Sequence, residues 1–198
     1  FSLLGEIRPE PGMLLAMSPY NENSYTEISN ARNLVAVEKA ALTLRFCSLL
    51  GAKSIVSQNI KIIDKENHKE ISIDAASNTV SGDLTIKRND IESLKNQIDI
   101  IAVSTGGKPN LQKAEKLLKS SRLISDPLLR NLLEIVRDSE DSNNKLTEIT
   151  QKVCLTQALQ RTFDLVAKIN FPLGFVSGSY SSTVREKTEI YFSLVIKF

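Results

Sequence analysis

The chain has 198 residues, 41% hydrophobic and 24% charged, and its 25 Lys and Arg against 23 Asp and Glu leave a formal net charge of +2. Charge this balanced and interleaved lacks the basic footprint of a nucleic-acid binder, so no nucleic-acid partner is expected. No apolar run approaches the roughly 18 residues of a membrane-spanning helix, and the length suits one domain of ordinary size.

The first residue is Phe1 rather than a methionine, so a larger parent protein is expected. Glu6, Arg8, Pro9, Glu10 and Pro11 interrupt the apolar stretch that a signal peptide needs, and a soluble, cytoplasmic protein is the expectation. Residues 1–23, rich in Pro, Gly and Asn, read as an irregular N-terminal arm, and 24–198 as a single domain. Tyr20 and Tyr25 are expected to pack the arm's aromatic rings on that domain.

Ser24 and Glu27 have the Ser-x-x-Glu spacing of a capping box, in which the hydroxyl accepts from a free N–H and the glutamate reaches back. Behind them Leu34, Val37, Ala41 and Leu44 recur at helical spacing, as do Leu34, Val35, Leu42 and Leu49. Gly51 supplies a stop, since glycine enters a left-handed C-cap without steric cost. The spacing predicts a helix over 25–50.

Strand signals follow. Val56, Ile60 and Ile62 alternate with polar residues, then Ile71, Ile73 and Ala75, then Val80, Leu84 and Ile86, with Gly82 marking a bulge. The pattern predicts an antiparallel meander, with His68 in a polar turn between the first two runs. A short helix is expected from Asn89 or Asp90 to Asn96, and a short apolar strand over 98–103.

The stretch 104–110, Ser-Thr-Gly-Gly-Lys-Pro-Asn, joins that strand to a helix carrying Leu111, Ala114, Leu117 and Leu118. Strand, glycine pair, lysine and helix is the order of a phosphate-binding loop. Alignment to the Walker pattern, however, puts Ala102 at the first glycine and Pro109 at the magnesium-binding hydroxyl. Alanine does not take the special turn cheaply, and proline removes the hydroxyl and an N–H together. We read the stretch as a tight turn capped by Asn110, which retains a capacity for weak anion binding through Gly106, Gly107, Lys108 and Asn110.

Asp126-Pro127 is a helix start, with a carboxylate at the N-cap and proline at the first helical position. Leu128, Leu129, Leu132, Leu133, Ile135 and Val136 give that helix a broad apolar face. Residues 138–144 read as a solvated loop, and Leu146, Ile149 and Val153 predict a further helix over 143–157. The last forty residues alternate with period two. Leu159, Phe163, Leu165, Ala167, Ile169 and Phe171 share one parity, and Val184, Ile190, Phe192, Leu194, Ile196 and Phe198 share another. Two long antiparallel strands are expected, joined by the Gly/Ser-rich segment 172–183.

The inventory offers little chemistry. His68 is the single histidine and lies in a turn, so Ser-His-Asp or Cys-His catalysis has no convincing base. Cys47 and Cys154 lack metal-ligand spacing and read as two buried thiols on helices. Asp138, Glu140 and Asp141 lack the ligand pattern and glycine of a calcium loop. Lys113, Lys116, Lys119 and Arg122 read as the solvent side of an amphipathic helix. No catalytic residue, cofactor or metal is expected.

The fold expected is α+β, with helices packed on one face of a mainly antiparallel sheet and a long C-terminal β-hairpin. The function expected is a non-catalytic interaction or assembly module whose partner is a protein or a second copy. The alternative is a membrane-active protein whose C-terminal hairpin inserts into a β-barrel pore, since alternating strands of roughly 9–11 residues span a bilayer. Phosphate or nucleotide binding by the 104–110 loop stands third.

Overall fold

The computed structural model describes residues 2–3, 8, 10–11, 13, 15–27, 30–64, 69–73, 98, 101–141, 146–156 and 188–198. His68, the strand expected at Val80–Ile86, the helix expected before Asn96, the strand expected at 159–171 and the segment 172–183 lie outside these residues. In chain order the elements are β1 (Ser2–Leu3), β2 (Leu15–Met17), β3 (Ser24–Glu27), α1 (Ala31–Leu49), β4 (Ser54–Asp64), β5 (Lys69–Ile73) and β6 (Ile101–Val103). They continue with α2 (Leu111–Ser120), a 3-10 turn (Leu123–Ser125), α3 (Pro127–Asp141), β7 (Glu148–Cys154) and β8 (Thr188–Lys197).

The class is the expected α+β. The main sheet runs β5-β4-β8-β7, with β6 also on β4, and every pairing in it is antiparallel. Strand β8 is flanked by β4 and β7 among the described residues, and with β7 it makes a C-terminal antiparallel strand pair. Its even positions, Ile190, Phe192, Leu194 and Ile196, are buried, and its odd positions from Glu189 to Val195 are half-buried, as period two requires. These four side chains share one apolar cluster with Phe46 and Leu50 of the α1 end, Leu118 of α2 and Leu132 of α3.

Strand β4 corrects the expected parity. Its first half buries Ile55 and Ser57 rather than Val56, and its second half buries Ile60. A register shift against β8 between Gln58 and Lys61 accounts for the change. An inserted residue moves the following side chains to the opposite face, so one strand presents odd and then even positions to the core.

Three other expectations fail. Ser24–Glu27 is not a capping box but β3, paired parallel to β1 and antiparallel to β2, so part of the 1–23 arm forms a small sheet. Helix α1 starts after Asn30, whose side chain makes no cap bond. Likewise 148–154 is a strand rather than part of a helix. Ile149, Gln151 and Val153 are the more covered positions of β7, while Glu148, Thr150 and Lys152 are exposed. Seven residue pairs with β8, from Glu148↔Lys197 to Cys154↔Tyr191, satisfy the backbone there. Helix α3 also runs on to Asp141, so Asp138 is helical rather than in a loop.

The end of α1 and the starts of α2 and α3 follow the expected chemistry. At the end of α1, Gly51 has φ +89; its N–H donates to the Ser48 carbonyl and the Ala52 N–H to the Cys47 carbonyl. This is the left-handed glycine termination with its paired 6→1 and 5→2 bonds. Asn110 Oδ1 accepts from Lys113 N at 3.0 Å, and Asp126 Oδ1 accepts from Leu128 N at 3.1 Å and Leu129 N at 3.3 Å. The buried face of α1, however, is not the leucine stripe. It carries Ala31, Val35, Ala36, Lys39, Ala40, Thr43, Phe46 and Cys47, while Leu34, Leu42 and Leu44 are half-buried and Ala41 is exposed.

Candidate functional site

The 104–110 loop is built against the end of α1. Ser104 N donates to the Lys53 carbonyl at 2.7 Å, Ser104 Oγ to the Ala52 carbonyl at 2.8 Å, and Asn110 N to the Leu49 carbonyl at 2.7 Å. Two glycines allow this approach. A Cβ on Gly51 would stand 2.4 Å from the Gly107 carbonyl oxygen, and one on Gly106 (φ +70) would stand 2.4 Å from Lys53 Cγ. The glycines at 51 and 106 are therefore explained by a backbone seam, with left-handed φ at both positions.

This seam forms one wall of a cleft of about 600 Å³. Its apolar lining comes from Leu50 after α1, Val136 on α3, Leu146 before β7 and Phe198 after β8, with Pro109 of the loop. Lys53 and Lys108, both exposed, stand at its rim, and no described lining residue is acidic. Lys53 Nζ donates to the Phe198 carbonyl at 3.0 Å, which uses one of its three donors and fixes the side chain under Gly106. Among the described residues the main-chain N–H groups of Gly107 and Lys108 have no hydrogen-bond partner.

The anion-site candidates therefore separate. Gly107 and Lys108 line the cleft, Gly106 packs on Lys53 and gives its N–H to Ser104 Oγ at 3.1 Å, and Asn110 spends its side chain on capping α2. A Walker cradle is not assembled, because Pro109 stands where the pattern needs a main-chain N–H and a magnesium-binding hydroxyl, and supplies neither. Leu50, Val136, Leu146 and Phe198 had no linear signal, since four separate segments bring them together.

A second constellation lies inside the molecule. Lys39, with a side chain 3% exposed, donates to Asp126 Oδ2 at 2.6 Å and to the Cys154 carbonyl at 2.5 Å, tying α1 to the start of α3 and the end of β7. Tyr20, 2% exposed, donates to the Leu155 carbonyl at 3.3 Å. Burial pushes the Tyr20 phenol far up, helped by the charge of Asp126. Ser18 Oγ donates to Glu38 Oε2 at 2.5 Å, and burial raises the Glu38 carboxyl while that bond opposes the rise. These contacts hold the arm down, as the aromatic packing expected for Tyr20 requires. The groups are paired among themselves and none of them lines the cleft.

The remaining candidates are surface or core features. Cys47 is buried and its thiol is pushed up to about 12, while Cys154 is half-buried at the end of β7 rather than on a helix. Lys119 pairs with Glu115 at 2.7 Å and Arg122 with Glu22 at 2.5 Å, which neutralises half of the basic stripe. No cluster of three metal-ligating side chains occurs among the described residues. Comparison of the chain with family models, with curated proteins and with solved structures returned no match.

Proposed function

We propose that the chain is a non-catalytic interaction module that receives a partner segment in the cleft between the α1 end, the glycine loop and Phe198. The observation that supports this reading is the division of labour between the two constellations. In the buried constellation Lys39 is paired with Asp126, Ser18 with Glu38 and Tyr20 with the Leu155 carbonyl, away from the cleft. The cleft instead offers an apolar floor, a polar rim and free main-chain donors, which are the parts of a recognition site. Pore insertion finds no supporting observation among the described residues, because β8 lends four side chains to the core. No described helix is long and apolar enough to cross a membrane, which leaves a β-barrel unaddressed. Dye leakage from lipid vesicles tests that alternative.

The test of the module is selection of displayed random heptapeptides on the wild-type chain and on Gly107→Trp. A Cβ at Gly107 meets nothing within 4 Å, so the fold tolerates the substitution while the indole obstructs the cleft. Peptides that bind the wild type and not the variant support the reading. A selection with no such peptide refutes it.

A further inference from the structure

The same cleft carries information about what it takes, on the reading that it is a binding site. Its described lining side chains bring two ammonium groups and no carboxylate. The stem of Lys53 is held by Gly106 and by the Phe198 carbonyl, so one of the two charges is placed before anything binds. The floor below is made by Leu50, Val136, Leu146 and Phe198. Burying a large apolar side chain there is favourable in proportion to the area removed from water, and no acidic side chain among the described lining residues repels a neighbouring carboxylate.

We infer that the cleft selects an acidic peptide segment carrying one bulky apolar side chain. The apolar side chain seats on the floor, and flanking carboxylates meet Lys53 and Lys108. The unpartnered N–H groups of Gly107 and Lys108 donate to carbonyl oxygens of the segment, which adds main-chain affinity without sequence preference. Both lysines are exposed rim charges, so they contribute selectivity and association rate more than raw affinity.

The experiment uses two displayed heptapeptide libraries with a fixed central Leu or Phe, one flanked by Asp and Glu and one by Lys and Arg. Only binders lost on Gly107→Trp are scored. The expected result is cleft-dependent binders from the acidic library alone. Their affinity should fall about three- to tenfold in the Lys53→Ala/Lys108→Ala variant, with a shallower salt dependence. Cleft-dependent binders from the basic library, or acidic binders indifferent to the double variant, overturn the inferred chemistry and leave the module standing. Cleft-dependent binders from neither library overturn both.

Discussion

Replacing Gly51 with alanine probes the seam on which the cleft is built. Gly51 has φ +89, and an L residue in left-handed backbone is strained by about 1–2 kcal/mol. The new methyl group would also stand 2.4 Å from the Gly107 carbonyl oxygen and 3.5 Å from Pro109 N. Both neighbours are main-chain atoms in a loop tied to α1 through Asn110 N and the Leu49 carbonyl, so relief requires the loop to move. Overpacking of this kind costs a further 1–3 kcal/mol or so, giving a loss of about 2–5 kcal/mol in all. Gly107→Ala is the matched control. Its Cβ enters open space without left-handed backbone, so the substitution should be neutral or stabilise by up to about 1 kcal/mol through the unfolded chain. Urea unfolding followed by circular dichroism measures all three proteins. A Gly51→Ala protein within about 0.5 kcal/mol of wild type, or a Gly107→Ala protein equally damaged, refutes the seam.

Other expectations rest on separate contacts. Phe192 is fully buried on β8, so Phe192→Ala should lose about 3–5 kcal/mol in the same urea assay, because transfer and cavity terms add. Asp126→Asn keeps the helix cap but leaves the Lys39 ammonium buried without its counter-charge, at a cost of about 3–5 kcal/mol, and Lys39→Met should cost distinctly less. Glu38 has a raised carboxyl, so the folded chain binds its proton more tightly than the unfolded chain does; this group's contribution to stability falls as pH rises from the ordinary carboxylate value through the raised one. Thermal melts of Glu38→Gln should therefore lose that part of the pH dependence and lie above wild type at pH 7; an unchanged pH profile would contradict it. Lys108→Ala should leave thermal stability unchanged, and calorimetry with ATP and magnesium should show no micromolar binding; an isotherm abolished by the substitution would restore the nucleotide reading.

Sequence alone determined the features in which a residue acts on its near neighbours along the chain. Gly51 ends α1 because glycine enters left-handed backbone freely, and Asn110 and Asp126 cap because their short side chains reach N–H groups two or three residues on. The alternation of 190–196 named the core face of β8 for the same local reason, since successive side chains of a strand point opposite ways. Tertiary structure decided wherever distant segments compete for the same backbone. Ser24–Glu27 has capping-box spacing yet is a strand, because 2–3 and 15–17 supply its hydrogen bonds. Leu146, Ile149 and Val153 fit a helical spacing, but β8 offers 148–154 a full ladder that local periodicity does not register. The shift near Gln58 exchanged Val56 for Ile55 in the core, which only the register against β8 specifies. The site divides in the same way. Gly106, Gly107 and Lys108 announced a special turn, whereas the apolar cleft lining and the Lys39–Asp126 pair join residues far apart in the chain. Propensity and spacing act over a few residues, and burial is a property of what the whole fold brings within contact.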